Sequence, residues 1–417
     1  MYFAGGLTPS DLAENQHNQG LDRAKSLLQL VVFPLLAVLF TIHWQKLSTK
    51  IRSFAIPLSF CGLAILSTAW SPSPGFTLRR SVITLGFTLF SLYLGARFSL
   101  PEQINLYGWM TVTFVVASYL LVIVKPEWAL STGNHWGSWR GVFGHKNTLG
   151  RMALFGAVVL VGGRPSEIPR AINAAVATGS VVLIFLSGSA TSLMAAIMIC
   201  AVSPFLLILK VRTRKTLPLW SALLPLAVFL AATLLANFGL ILEGIGRDPT
   251  LTGRTALWSA LIDVASKKPF LGFGYASFWH YDGPDRQALY RRVGWSPPHA
   301  HNAYLDMWLD FGYPGLVGLL GLIAVTLIKS ARLFQISPSR AAKFPLLLVF
   351  FAICANCTES DLFRSHAFMW CPLVGLYTSL KLLEMEPAKK RSPQPRALLQ
   401  APQARIDRYP AGPEFAQ

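Results

Sequence analysis

Apolar runs separated by short polar breaks recur from one end of the chain to the other. They fall near residues 27–44, 54–70, 81–97, 107–124, 148–163, 171–187, 191–209, 217–238, 311–329, 344–358 and 366–383. Most are close to the roughly 20 residues that a helix needs to cross a hydrocarbon core. The pattern predicts an all-α polytopic membrane protein with about 11 (10–12) transmembrane helices. A transmembrane barrel would instead show short segments of strict alternation, which the chain lacks. The longest interruption, 239–310, contains an amphipathic stretch from Gly253 to Tyr275. There Leu257, Trp258, Leu261 and Ala265 share one helical face, and Asp263, Lys267 and Lys268 lie off it, as in a helix resting on a membrane surface or on the bundle.

Composition agrees with the pattern: 53% of residues are hydrophobic and 13% charged, too few charges for an ordinary soluble domain. The net charge of +18 raises nucleic-acid binding as a reading. The placement of the charge argues against it, because Lys and Arg gather near 45–53, 210–216 and 329–343 and in the tail. With eleven spans all four regions fall on one side, the cytoplasmic one by the positive-inside rule. Connections 71–80, 125–147, 239–310 and 359–365 then face outward, as does the N-terminus. The domain plan is a polar segment 1–25, a membrane domain 26–384 with the large outer loop 239–310, and a basic tail 385–417 whose Pro, Gln, Ala and Arg predict disorder. Segment 1–25 is polar and not basic, so the first apolar run reads as a retained span and not a signal peptide. Cys354 and Cys357 have C-x-x-C spacing, but no second pair completes a zinc site.

The outward connections carry more arginine than the positive-inside rule predicts. Arg79 and Arg80 close the first, Arg140 lies in the second near His145 and Lys146, and Arg254, Arg291 and Arg292 lie in the third. The guanidinium fork matches phosphate oxygens, so Arg79, Arg80, Arg140 and Arg254 are candidates to hold a phosphate or pyrophosphate at the membrane surface. The competing reading is snorkelling to lipid headgroups.

The sharpest motif is "HAHNAYLDMWLDFGYPG", His299 to Gly315. A helix starting near Asn302 puts His301, with His299 beside it, at its N-terminal mouth. Imidazole can take a proton from a hydroxyl near neutral pH, and unsatisfied N–H groups at a helix start favour an anion. A hydrogen-bonded surface histidine is the plainer alternative. Gly312, Gly315, Gly318 and Gly321 recur every third residue, which predicts close approach of another helix. Asp306, Asp310, Glu359 and Asp361, with Arg364 and His366, either orient His301 or an arginine or form local ion pairs. No Walker motif and no glycine-rich dinucleotide turn is present.

Three stretches together, "RGVFGHKNTLG" (Arg140 to Gly150), "GRTALW" followed by "KPFLGFGYASF", and "HAHNAYLDMWLDFGYPG", resemble the bacterial O-antigen ligase and polysaccharide polymerase superfamily. The exopolysaccharide polymerase branch is the nearest in flavour. The family pattern, His, then Asn, Ser or Gln, nine residues, then Gly-x-x-Gly/Thr/Tyr, falls on His301, Asn302, Gly312 and Gly315. The resemblance covers roughly residues 60–380 and implies a large periplasmic loop before the histidine-bearing helix. It implies metal- and cofactor-independent glycosyl transfer from an undecaprenyl-diphosphate-linked glycan at the periplasmic face of the inner membrane. His301 would be the base, and Arg140 and Arg254 would engage the pyrophosphate. A single displacement would invert the anomeric centre. The acceptor is a second lipid-linked glycan for a polymerase or lipid A-core for a ligase, with a chain-length regulator protein as a candidate partner. A lipid-linked sugar transporter is the third reading, disfavoured because the polar groups sit at outer helix ends and no internal repeat is evident.

Overall fold

The computed structural model describes residues 34–43, 45, 48–132, 136–209, 253–337, 339–365 and 367–385. Among them there is no strand, and a single isolated bridge joins Leu130 to Trp139. The helices in chain order are α1 (Ala55–Leu66), α2 (Pro74–Arg97), α3 (Leu100–Val124), α4 (Lys146–Ala157), α5 (Arg170–Leu186), α6 (Ala190–Leu209), α7 (Arg254–Ala265), α8 (Pro284–Val293), α9 (Ala303–Ile336), α10 (Phe344–Asn356) and α11 (Trp370–Met385). The all-α expectation holds. Helices α3 and α9 are long and apolar enough to cross a membrane. The expected span 217–238, residues 27–33 and 44 of the span 27–44, segment 1–25, the opening of the large loop and nearly all of the tail lie outside the described residues.

Local sequence explains the helix starts. Ser99 and Glu102 form a capping box at the head of α3, with Pro101 in its first turn. Pro74 opens α2, which runs a full seven residues earlier than the apolar pattern alone would place it. Small residues let α2 and α11 touch: a Cβ on Gly95 would lie 2.4 Å from the Gly375 carbonyl oxygen. The Ser379 hydroxyl donates across the same seam to the Gly95 carbonyl at 3.1 Å. At the start of α11, the buried Trp370 ring packs against Phe60 and Phe363, and its indole N–H donates to the Thr88 hydroxyl at 2.9 Å.

Helix α9 is longer than the expected span 311–329 and is broken at Gly312, which has φ 68° and ψ −161°. Pro314 has no N–H to give the Asp310 carbonyl four residues back. Segment 269–274 fills the gap. The Tyr313 N–H donates to the Pro269 carbonyl at 2.7 Å, the Phe273 N–H to Leu309 at 2.8 Å, and the Gly274 N–H to Asp310 at 3.0 Å. The large loop is thereby bonded directly to the break. The glycine stripe is therefore not one helix–helix seam. A Cβ on Gly312 would meet the Phe270 backbone at 2.4 Å, one on Gly315 the Phe311 side chain of the same helix, one on Gly318 the Phe60 ring at 3.1 Å, and one on Gly321 nothing within 4 Å. Gly312→Ala is expected to destabilise the protein by at least 1–3 kcal/mol, roughly, from backbone strain alone, because this φ/ψ region is essentially restricted to glycine. A thermal melt of the purified variant in detergent checks this. An unchanged Tm would mean that the break tolerates a side chain.

Candidate active site

The site is assembled where the start of α9 meets the connection after α10. Asn302 caps α9: its side-chain oxygen accepts the N–H groups of Tyr304 and Leu305 at 3.0 and 3.1 Å. Its amide nitrogen donates to the Cys357 carbonyl at 3.2 Å, and its backbone N–H to the Ser360 hydroxyl at 3.1 Å. The Ala303 N–H donates to the Glu359 carbonyl at 3.1 Å. One residue earlier, His301 has φ 50°, a left-handed conformation that only a few per cent of non-glycine residues adopt. That turn folds the His301 N–H onto His299 Nδ1 at 3.1 Å and brings the two rings to 4.0 Å between centroids.

Glu359 is the hub. Its Oε1 accepts from Asn147 Nδ2 and from Arg254 Nη2, each at 3.1 Å, and its Oε2 accepts from Arg151 Nη1 at 2.9 Å. His301 Nδ1 lies 3.6 Å from that Oε2, just beyond hydrogen-bond distance. Arg254 also donates to the Thr358 carbonyl. Burial alone would raise the Glu359 carboxyl, but Arg151, then His301 and Arg254, hold it well below the usual carboxylate range. Behind the histidines, Asp306 accepts the Trp279 indole N–H at 2.8 Å and the Ala300 N–H at 3.3 Å, and pairs with Arg364 at 2.8 Å.

His299 is pulled down to about 3, first by burial and then by the charges of Arg364 and His301. A neutral imidazole that accepts through Nδ1 carries its proton on Nε2. A histidine with a depressed pKa stabilises the fold fully above its unfolded value, roughly 6.5, and loses that contribution as pH falls towards the folded one. The melting temperature should therefore fall between pH 7.5 and 5, and His299→Gln should flatten that slope. Parallel pH curves for the two proteins would refute the buried neutral state.

By spacing, His299, His301 and Glu359 form a set whose ligand atoms lie within 4.8 Å of one another. Their surroundings do not suit a divalent cation. Both carboxylate oxygens already accept from guanidinium groups, and two fixed positive charges stand at the point where the ion would bind.

The candidates picked from sequence divide. His299, His301, Asn302 and Arg254 come together. Arg140 is buried apart from them, its Nε donating to the Trp128 carbonyl at 3.1 Å. Arg80 sits at the rim, donating to Ser365 at 2.6 Å and lying over the Phe76 ring, and Arg79 is exposed. Gly312 and Gly315 lie farther along α9, where Gly312 ties the loop to the helix. Sequence reasoning missed Arg151. Its signal was a lone arginine inside an apolar run, which calls for a buried partner.

Residues 174–320 match the family model described as O-antigen ligase. The matched stretch includes Arg254, His301, Asn302, Gly312 and Gly315. Over 312 residues the chain is also 26% identical to the exopolysaccharide production protein ExoQ of Rhizobium meliloti (strain 1021), covering 71% of this chain and 69% of that one. The resemblance to the O-antigen ligase family read from the three motifs is upheld, and it supports a polysaccharide polymerase or ligase role. Asn147, Arg151 and Glu359 lie outside the matched residues 174–320.

Proposed function

We propose that the chain polymerises undecaprenyl-diphosphate-linked oligosaccharide units into exopolysaccharide or O-antigen, with His301 as the general base. The observation that carries this reading is the pairing of His301 Nδ1 with the arginine-held Glu359 carboxylate at 3.6 Å, at the mouth of α9. Once the 3.6 Å gap closes to hydrogen-bond distance, the carboxylate would hold the proton on Nδ1, leave Nε2 to act as base, and stabilise the imidazolium that forms. The acceptor hydroxyl passes its proton to Nε2 while its oxygen bonds to the donor's C1. The bond from C1 to the diphosphate oxygen breaks, and the lipid diphosphate leaves with that electron pair. Arg79, exposed at the head of α2, and Arg80, which donates to Ser365 of the connection that carries Glu359, would meet the growing charge. Arg254, buried and already bonded to Glu359 and Thr358, positions the carboxylate. Arg140, turned to backbone carbonyls, supports the connection after α3.

The reaction is placed at the periplasmic face of the bacterial inner membrane, in a multi-pass protein of about eleven spans. Loop 239–310 is outside and tail 385–417 in the cytoplasm. No nucleic acid takes part. The test is reconstitution with one lipid-linked repeat unit as the sole glycan. A ladder of longer lipid-linked products is expected. The description of the matching family favours a second reading, transfer to lipid A-core. Product that forms only when that acceptor is added would establish the ligase instead.

A further inference from the structure

A small pocket, of about 110 Å³, lies outside the histidine cluster, between the segment that joins α7 to α8, the first turn of α8 and Pro72. Its floor is Phe273 and Phe278, both buried and packed edge to face at 5.2 Å. Its open wall is Tyr281, 45% exposed. That ring lies against the backbone of Gly283, where a Cβ would come within 2.5 Å of it, so the glycine is what admits the ring. The rim is charged and rigid. Asp285 pairs with Lys267 at 2.5 Å. Arg286 pairs with Asp282 at 2.7 Å and donates to the Trp279 and His280 carbonyls, while its Nε is buried without a partner. Lys268 rests over the Phe273 ring at 4.6 Å. Next to the pocket, His280 stacks on Phe76 at 3.7 Å, and Arg80 lies over that same ring while bonding Ser365 of the connection that carries Glu359. A run of contacts thus leads from beside the pocket, through Phe76 and Arg80 at the head of α2, to the connection that carries Glu359.

We propose that this pocket is a glycan subsite that holds one sugar ring of the chain being extended, away from the ring that reacts. A sugar ring has apolar C–H faces and an edge of hydroxyls. It is met by an aromatic wall together with carboxylate and guanidinium groups fixed by their own pairs, which is what the pocket offers. Size narrows the ligand further. The volume equals roughly four waters and is well below the ~300 Å³ of small-molecule sites. It takes a ring edge and excludes a lipid chain or a whole repeat unit.

The glycan identity of the ligand rests on the proposed function, but the test separates the two. The full-length protein in nanodiscs is titrated with lipid-free, diphosphate-free oligosaccharide fragments of the polysaccharide secreted by the source strain. Binding by the wild type is expected. Tyr281→Ala should weaken it about tenfold, Tyr281→Phe should retain it, and Asp285→Asn should weaken it severalfold. If Tyr281→Ala is poorly folded, Asp285→Asn and Tyr281→Phe decide. Absence of wild-type binding, or equal dissociation constants for wild type, Tyr281→Ala and Asp285→Asn, would overturn the subsite. The ladder assay on the wild type judges the polymerase reading independently of either result.

Discussion

His301→Asn is expected to lower the rate of glycan joining by about 10²–10⁴-fold, the usual contribution of a general base, with protein level and Tm little changed. Asparagine is the informative replacement because it tolerates the left-handed backbone at this position, φ 50°, better than most residues. It removes a titrating nitrogen without forcing the turn open. His301→Ala should lose the same activity, with an added cost from a backbone state that alanine disfavours. The histidine two residues before it should behave differently. His299 is half-buried and holds the His301 N–H through Nδ1, so it positions and does not transfer the proton. Single-turnover rates on a lipid-linked repeat unit, read beside melting curves for the same preparations, check the assignment. A His301→Asn protein that joins units at the wild-type rate would sink the base role and the mechanism built on it.

The elements that the sequence revealed are those set by local spacing. A helix start near Asn302 is read from the motif and is present, whereas the capping box of Ser99 and Glu102 starts α3 seven residues before the apolar span 107–124. The prominence of His301 and Arg254 was legible for the same reason, since each sits in a short motif. Their shared partner was legible only as one of four candidate carboxylates. Glu359 lies 58 residues after His301 and 105 after Arg254 in the chain, and only folding joins them. Taken alone, its acidic group could equally have been a local ion pair. Arg151 was hidden by the apolar residues around it, which made the run read as a plain span. The glycines were misjudged because periodicity counts small residues but does not reveal φ. Gly312 is needed for a backbone conformation, and Gly321 contacts nothing within 4 Å. Pro314, two residues past Gly312, was the cue that a helix carbonyl there needed an outside donor.

Glu359→Ala should be the most destabilising single change at the site, by about 3–5 kcal/mol, because it leaves buried charge without its counterion. The side chains of Arg151 and Arg254 are 15% and 9% exposed, and both guanidiniums point at the same carboxylate. Asp361 still pairs with Arg151 Nε at 3.7 Å, so Arg254 is the guanidinium that loses its only carboxylate partner. Glu359→Gln should cost less in stability, since the amide oxygen still accepts from one donor. It should still depress the rate, since no negative charge remains beside His301 Nδ1 to stabilise the imidazolium. The pH dependence separates this charge effect from a packing effect. The Glu359 carboxyl is held well below its ordinary range, so its contribution is complete above the unfolded carboxylate pKa, roughly 4.5, and is lost only as pH falls below that. The stability gap between wild type and Glu359→Gln should therefore stay constant from pH 8 to 6 and close at more acid pH. If the gap were already closing near pH 7, the carboxyl would not be depressed. If Glu359→Gln kept the full joining rate, Glu359 would be a structural anchor for the two arginines and His301 would act without it.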